Sequence, residues 1–414
     1  MTAVIPAPDA NNEWRLDTPG ADGWTRSAQP DSDRKFFMAS ADGHVQEPRD
    51  LWLSRMEPRY AERLPGIVLD GKGDQFQKTE GFRQPLKLQK TVFEGEDHLR
   101  NRAGRTPEER LADLAADGVD AEVLFPNKGL TIWATTDTAF SAAMCRAYND
   151  WAWETFGDYN DRLAPMAGIA PADVDGAIAE IQRCADLGFR GLSLPCKPVW
   201  GPPDHADLNY NLKEFDPLWA CITEVDLPVT FHVSTGRDPR ASRSRGGAII
   251  NYAVHSLAPT MEPLVNICAS GVAEKFPTLR FGSIEAGIGW VAWALQSMDE
   301  AYLKHHMWVR PKLELLPSEY FKRQGFASFQ EDKAGLDLAR EHGLVDNFLW
   351  ANDYPHHEGS WPHSAAAIER TMGQLDDGER AKILGLNSAK IFGFPIPERY
   401  LDHEDARSAA SFGS

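Results

Sequence analysis

The stretch FFMASADGHVQEPRDLW, residues 36–52, is an apolar run followed by side chains that can bind a metal or transfer a proton. Asp42, His44 and Glu47 lie within six positions of one another. Successive side chains of a β-strand alternate between its faces, so Asp42 and His44 leave on the same face and can converge on one ion. Glu47 precedes PRDLW, where it would support a ligand, bind a second metal or cap a helix.

Three later apolar runs also end in ligand-type side chains. They are PVTFHVS with His232, LRFGSIEAG with Glu285, and NFLWANDYPH with Asp353 and His356. We expect one metal ion to be held by two carboxylates and two imidazoles, those of Asp42, His44, His232 and Asp353. This donor set suits zinc, which we expect first, and also manganese or iron, as one ion or two.

Each of these residues also has an ordinary structural role open to it. The His232 imidazole could be a hydrogen-bonded core group, and Asp353 could be a turn residue before a proline. Their common location argues for chemistry, because four ligand-type residues fall independently at the carboxyl ends of apolar runs. Chance is a poor explanation for that agreement.

The elements that must position these side chains follow a repeating pattern. Eight short apolar runs alternate with longer segments of helical periodicity, as in repeated βαβ units. The predicted strands are residues 36–44, 121–127, 162–171, 191–196, 228–234, 279–287, 325–332 and 347–356, and the predicted helices include 138–156, 173–187, 213–225, 257–275, 287–303 and 334–343. We therefore predict an α/β fold, a (β/α)8 TIM-type barrel, whose functional groups collect at the carboxyl ends of the strands.

The ends of the chain and two internal segments do not fit a minimal barrel. We expect an extended N-terminal arm at residues 1–33, which are rich in Pro, Asp, Asn and Gly, a barrel at 34–395, and a C-terminal tail at 396–414. Residues 53–107 and 304–325 read as insertions. They would form a lid over the site or support an oligomer interface, and both alternatives stay open.

The composition narrows the class of partner. The net charge is −18, from 43 Lys+Arg against 61 Asp+Glu, which disfavours binding to nucleic acid or to an anionic membrane. We expect a small-molecule substrate and a homo-oligomer, or a hetero-oligomer with a related subunit. The sequence has no apolar run long enough for a membrane span and its start lacks signal-peptide features, so we expect a cytoplasmic protein with reduced core cysteines.

These stretches resemble the amidohydrolase superfamily, in the branch typified by aminocarboxymuconate semialdehyde decarboxylase. The matching motifs include ADGHVQEPRDLW, RLADLAADGVDAEVLFP, LPVTFHVSTG, KFPTLRFGSIEAGIGWVAW and NFLWANDYPHHEGSWPHS, and the resemblance extends over residues 36–395. It implies a divalent metal held by residues of strands one, five and eight at the mouth of a barrel. It also implies that Asp353 is both a ligand and the general base.

Two positions depart from the pattern of that family. Strand one ordinarily carries His-x-His, whereas this chain has Asp42-Gly43-His44. Strand six ordinarily carries a histidine, and Glu285 stands in its place. Glu285 could act as an acid, bind a substrate amine or ligate a second metal. His255, after strand five, could be catalytic, or it could bind a second metal together with His356. It could equally be a surface or capping residue.

Our leading expectation is a metal-dependent hydrolase that attacks a C–N or C–O bond of a small polar or aromatic substrate with metal-activated water. Alternatives are a non-oxidative decarboxylase, a dinuclear iron or iron/manganese oxygenase, and a catalytically altered subunit that supports an active partner. Asp353, Glu285 and His255 are the expected catalytic residues. Trp290, in GIGWVAW, is expected either to line the substrate site or to pack its helix on the barrel.

Overall fold

Eight parallel strands form the centre of the protein. The computed structural model describes residues 10–82, 85–88, 94–198, 209–235 and 245–401, without the side chains of Ala248, His255 and Ser256. The strands are β1 Ala39–Ser40, β2 Ala121–Leu124, β3 Leu163–Pro165 continued by Ala167–Gly168, β4 Leu192–Leu194, β5 Val229–His232, β6 Phe281–Ile284, β7 Gly325–Phe329 and β8 Phe348–Trp350. Every residue in them is buried, as expected when helices cover a parallel sheet.

The strands pair in chain order and close into a barrel. Neighbours from β1 to β3 and from β3 to β8 are parallel, and His232 of β5 lies opposite Ile284 of β6. The last strand returns to the first, because the Ala41 N–H donates to the Trp350 carbonyl at 3.0 Å and the His44 N–H to the Tyr354 carbonyl at 2.7 Å. The predicted (β/α)8 barrel is confirmed.

The helices begin and end where local chemistry dictates. They are α1 Leu51–Arg55, α2 Gly95–Arg102, α3 Pro107–Asp117, α4 Thr138–Phe156, α5 Val174–Leu187, α6 Asp216–Glu224, α7 Gly247–Ile250, α8 Met261–Ala269, α9 Val272–Lys275, α10 Gly289–Lys304, α11 Pro317–Gln324, α12 Lys333–Ala339, α13 Ser364–Thr371, α14 Asp377–Ala381 and α15 Asn387–Phe392. The Asp173 side chain caps α5 by accepting from the Gly176 N–H at 3.2 Å. The single helix predicted at 257–275 is instead divided into α8 and α9, because Gly271 adopts a left-handed φ of 89°.

The segments outside the barrel have distinct structures. The described part of the arm contains a 3-10 turn, Glu13–Leu16, and runs against the barrel. The insertion at 53–107 contains a small antiparallel sheet of Gly66–Leu69, Gln75–Lys78 and Leu86–Lys87, followed by α2. No helix in the described ranges is long and apolar enough to cross a membrane. All five cysteines are buried, and none of them forms a disulfide.

A buried ion pair lies directly behind the first ligand strand. Arg110 of α3 donates to the Glu122 carboxylate and to the His44 carbonyl, and its guanidinium stacks 4.6 Å from the Tyr354 ring centroid. A Cβ added at Gly43 would overlap the Glu122 carboxylate. Only glycine therefore fits between Asp42 and His44, because moving the Glu122 carboxylate aside would break its ion pair with Arg110.

This crowding predicts that Gly43→Ala will destabilise the fold. The new methyl group forces Glu122 away from Arg110, and overpacking of this kind costs about 1–3 kcal/mol. Chemical denaturation followed by circular dichroism measures the loss. The matched control is Gly71→Ala, since a Cβ at Gly71 meets no atom within 4 Å. Equal stability of the two variants would contradict the packing argument.

Candidate metal centre

The side chains predicted as ligands converge at the carboxyl ends of β1, β5 and β8. The Oδ1 atom of Asp42 lies 3.4 Å from His232 Nε2 and 3.7 Å from His44 Nε2. The same His44 atom lies 3.5 Å from Asp353 Oδ1. Two atoms that bind one cation at about 2.1 Å lie roughly 3–3.5 Å apart, so these spacings match a shared ion. All four side chains are fully buried.

Backbone carbonyls select the ring nitrogen that each histidine presents. His44 Nδ1 lies 2.9 Å from the Pro126 carbonyl oxygen, and His232 Nδ1 lies 2.8 Å from that of Val233. A carbonyl oxygen can only accept, so Nδ1 carries the proton in both rings. The Nε2 lone pairs therefore point into the cluster, which is the arrangement that metal-binding histidines use.

The atoms that face the cluster have no hydrogen-bond partners among the described residues. They are both carboxylate oxygens of Asp42 and Asp353 and the Nε2 atoms of His44 and His232. Buried polar atoms are nearly always paired, and leaving carboxylates unpaired in a dry interior is strongly unfavourable. A divalent cation satisfies all of these acceptors at once, so the residues present fit the metal that the sequence implies.

Glu285 and His356 extend the cluster. Glu285 Oε2 lies 3.3 Å from His232 Nε2 and 3.6 Å from His44 Nε2. His356 Nδ1 lies 3.1 Å from Asp353 Oδ1, and its ring stacks on His44 with centroids 4.0 Å apart. Two overlapping sets of four ligand atoms result, Asp42/His44/His232/Glu285 and His44/Glu285/Asp353/His356, each within 4.8 Å.

The two strand-end carboxylates are held in a strained backbone conformation. Glu285 has a φ of 60° and Asp353 a φ of 52°, in the left-handed region that non-glycine residues rarely adopt. Each costs about 1–3 kcal/mol, a strain typical of functional sites. The Glu285 N–H donates to Ser328 Oγ at 3.0 Å, and the Asp353 N–H donates to the Asp42 carbonyl at 3.2 Å. These bonds hold both carboxylates toward the cluster.

The electrostatics of the cluster follow from its burial. Burial raises the pKa of Glu285 well above its usual range, and the Asp353 and Asp42 carboxylates raise it further. Burial and the Asp42 charge raise the pKa of Asp353 in the same way. Burial lowers the pKa of His44. The protein alone therefore disfavours charge here, and a bound cation would counteract that effect on the carboxylates.

Glu47, considered from sequence as a supporting residue or a ligand of a second metal, stands outside the cluster. Its carboxylate accepts the backbone N–H groups of Asn127, Lys128 and Gly129 at 2.9, 3.1 and 2.8 Å. These contacts shape the loop after β2, and the Pro126 carbonyl that orients His44 belongs to that loop. The Glu47 carboxylate is therefore engaged by the backbone of the loop that orients His44.

Two other predicted residues have different surroundings. The Trp290 indole N–H donates to the Gly287 carbonyl at 3.0 Å, and the half-buried ring packs against the core. Trp293, placed near the same helical face by its spacing, is 64% exposed. A substrate-lining role for Trp290 stays a prediction. His255 lies in the π-helical segment Asn251–Ser256, and its side chain is outside the described residues.

Sequence reasoning missed the polar side chains that join β1 to β8. Ser40 Oγ donates to the Asp42 carbonyl at 2.6 Å and accepts the Asn352 N–H at 3.0 Å. Arg110 and Arg100 likewise reach the ligand segments from helices outside the strands. Only weak signals for these contacts are present in the sequence. They are an Asn directly before Asp353 and arginines within ordinary helical patterns.

Comparison with known proteins defines the class. The family model described as amidohydrolase matches residues 97–394, and the chain belongs to this family. A gamma-resorcylate decarboxylase of Rhizobium sp. (strain MTP-10005) is 24% identical over 308 residues, which cover 68% of this chain and 86% of that protein.

Solved structures agree with the barrel. An amidohydrolase from Mycobacterium avium subsp. paratuberculosis K-10 superimposes with a TM-score of 0.68 at 18% identity, covering 86% of this chain and 99% of that one. A dihydroxybenzoic acid decarboxylase from Polaromonas sp. JS666, with bound manganese and the inhibitor 2-nitroresorcinol, gives 0.58 at 17% identity, covering 88% and 99%.

These relatives bear on two expectations. Hydrolysis was the leading expectation from sequence and is contradicted, because the Rhizobium and Polaromonas proteins are decarboxylases, and decarboxylation was the stated alternative. The residues of the centre alone did not distinguish the reactions, since a buried metal with an aspartate serves both. Zinc as the first choice of metal is not supported, since the Polaromonas structure contains manganese.

The geometry predicts that His232→Ala will lose most bound metal. The change removes one of about four ligands while the barrel keeps its own core. Titration calorimetry with Mn²⁺, after treatment with a chelator, measures the affinity and the number of ions per chain. His306→Ala, at an exposed position, is the matched control and should bind as the unaltered protein does. Full metal occupancy in folded His232→Ala would refute the ligand set.

Proposed function

We propose that this protein is a manganese-dependent, non-oxidative decarboxylase of a small hydroxylated aromatic acid. The observation that carries the proposal is the buried centre of unpartnered ligand atoms at the mouth of an amidohydrolase barrel. The decarboxylases among its relatives support the reaction class, and the manganese in the Polaromonas structure supports the metal.

The geometry of the cluster supports a role for each of four side chains. Asp42, His44, His232 and Asp353 would hold the cation. When bound, it would supply positive charge that orients the substrate's carboxylate and a neighbouring phenolic oxygen. The strand ends fix the ligands on a rigid frame, and the carbonyl contacts of the two histidines keep their Nε2 atoms directed inward.

The reaction also needs a proton. When carbon dioxide leaves, the carbon–carbon bond breaks, its electron pair stays on the ring carbon, and that carbon takes up a proton. We assign delivery of this proton to Asp353, which is fully buried in the cluster. His356 lies 3.1 Å from Asp353 with 21% of its side chain exposed, so it can carry a replacement proton from solvent.

Glu285 distinguishes this site from those of similar enzymes. The position that faces His44 and His232 from β6 carries a carboxylate where similar enzymes are expected to carry an imidazole. A carboxylate accepts hydrogen bonds, so an ionised Glu285 would bind a donor on the substrate, such as a phenolic hydroxyl or an amine. We propose that Glu285 sets the substrate preference of the centre.

A dinuclear oxygenase is the second candidate, and one observation favours it. The two overlapping sets of ligand atoms share Glu285, and a carboxylate can bridge two neighbouring ions, whereas the Nε2 atom of the shared His44 can bind only one of them. The number of ions per chain separates the two functions, because the decarboxylase needs one. Oxygen consumption would accompany the reaction of the oxygenase alone.

The central test is decarboxylation by the manganese-loaded protein. With 2,6-dihydroxybenzoate and 5-carboxyvanillate as probes, we expect carbon dioxide release without oxygen uptake. In D₂O, one deuterium should appear at the vacated ring carbon, as measured by NMR. Asp353→Asn should abolish turnover, because it removes both a ligand oxygen and the proton donor. Absence of carbon dioxide release across a panel of hydroxybenzoates, with metal bound, would reject the proposal.

Glu285→Gln tests the charge on β6, since it keeps the size and one acceptor while removing the negative charge. At a centre with one ion we expect turnover to fall while the metal content stays near one per chain. At a centre with two ions, one ion should be lost. Metal analysis and turnover are measured together, with exposed Glu300→Gln as control. If both quantities are unchanged, Glu285 has no part in the site.

A further inference from the structure

The loop after β8 carries part of the metal centre and folds back tightly on itself. The Ser360 N–H donates to the Asn352 carbonyl at 3.0 Å, and the His356 N–H donates to the Asp353 carbonyl at 2.8 Å. A Cβ at Gly359 would overlap the Asn352 carbonyl oxygen. The backbone of this loop therefore determines where the Asp353 carboxylate and the His356 ring lie.

Two arginines from outside the barrel bind the outer side of this loop. Arg15 of the N-terminal arm donates from Nη1 to the Gly359 carbonyl at 2.7 Å and from Nη2 to the His357 carbonyl at 2.5 Å. Arg100 of α2 donates to the His356 carbonyl at 2.8 Å. The two guanidinium groups thus bind the carbonyls of residues 356, 357 and 359.

The arm is fastened to the barrel on both sides of Arg15. Arg370 of α13 donates to the carbonyls of Arg15 and Asp17 at 3.0 and 3.1 Å. Arg370 is itself fixed by Glu331, just after β7, at 2.9 Å. The Trp14 ring lies against both guanidinium groups, 4.9 Å from that of Arg15 and 5.3 Å from that of Arg370. The backbone of the arm that carries the Arg15 side chain is therefore fixed against the barrel.

The second arginine is fixed in the same manner. Glu96, one turn earlier in α2, accepts from Arg100 Nη2 at 2.5 Å. The other carboxylate oxygen of Glu96 lies 3.0 Å from His363 Nε2. Both arginines are buried, Arg15 with 7% and Arg100 with 3% of its surface exposed. A buried guanidinium is unfavourable unless its donors are satisfied, so the contacts to the loop are obligatory for both.

We infer that Arg15 and Arg100 are positioning residues for the metal centre, which they hold in shape through the backbone of residues 356–359. The N-terminal arm and the insertion then contribute to cation affinity without touching the cation. This inference rests on the proposed function only in requiring a cation at the centre, and it does not depend on which reaction follows.

The test compares two buried arginines of the same arm. Arg15→Gln removes the contacts to the loop. Arg26→Gln is the matched control, because Arg26 is 5% exposed and donates to the Lys35 carbonyl, away from the loop. We expect the Kd for Mn²⁺ to rise about 10–100-fold in Arg15→Gln, as when outer hydrogen-bond partners of metal ligands are lost. Arg26→Gln should change it by less than about threefold.

A spectroscopic measurement separates positioning from general destabilisation. The visible absorption of bound Co²⁺ reports ligand geometry, and it should shift in Arg15→Gln and stay unchanged in Arg26→Gln. Arg15→Lys retains the charge and part of the hydrogen bonding, so its Kd should lie between those of Arg15→Gln and the unaltered protein. If Arg15→Gln does not fold, Arg15→Lys takes its place in both measurements.

Each result has a defined meaning. An unchanged Kd and Co²⁺ spectrum in a folded Arg15 variant would overturn the inference, and so would an equal loss of affinity in Arg26→Gln. An unaltered protein that binds Mn²⁺ but decarboxylates nothing would refute the proposed function alone, and the comparison of Kd values would still decide the role of Arg15. An unaltered protein that binds neither Mn²⁺ nor Co²⁺ would overturn both.

Discussion

The structure depends on the burial of charge at one end of a closed barrel. Asp42, Asp353 and Glu285 bring three carboxyl groups within a few ångströms of two inward-facing imidazoles, and all five side chains are buried. Such a group of acceptors repels itself in a medium of low dielectric constant, and a divalent cation is the simplest counter-charge. The closure of β8 onto β1 is what holds the acceptors together, because it places Asp353 beside Asp42.

The surrounding structure opposes the same repulsion, because it fixes the backbone that carries the repelling side chains. Arg110 holds the carbonyl of His44, and Arg100 and Arg15 hold carbonyls of the β8 loop. None of these guanidinium groups donates to a ligand carboxylate among the contacts described above. Positive charge is therefore kept on the backbone around the cluster, where it stabilises the fold without competing with a cation for the carboxylate oxygens. Glu122, whose pKa burial raises to about 7, is the buried acidic partner of Arg110.

Sequence patterns predicted the barrel and the convergence of these side chains because both depend on short-range regularities. Alternation of strand and helix specifies the βαβ repeat, and a parallel barrel brings strand ends such as those of His232 and Asp353 to one mouth. Arg15 could not be found in this way, since its partner His357 lies 342 positions along the chain. The reaction class also could not be found, because hydrolysis and decarboxylation can use the same ligands and differ in what the remaining space admits.

The Glu285 carboxylate links the net charge of the centre to the proton that the reaction needs. Three ionised carboxyl groups around one divalent cation give the centre a net charge of about −1, and an anionic aromatic acid would be repelled by it. A proton on one of the three makes the centre neutral, so substrate binding and protonation favour each other. In the proposed reaction that proton is also the one the ring carbon takes up when carbon dioxide leaves. A histidine in place of Glu285 would remove this coupling, because a neutral imidazole leaves the centre uncharged with both aspartates ionised.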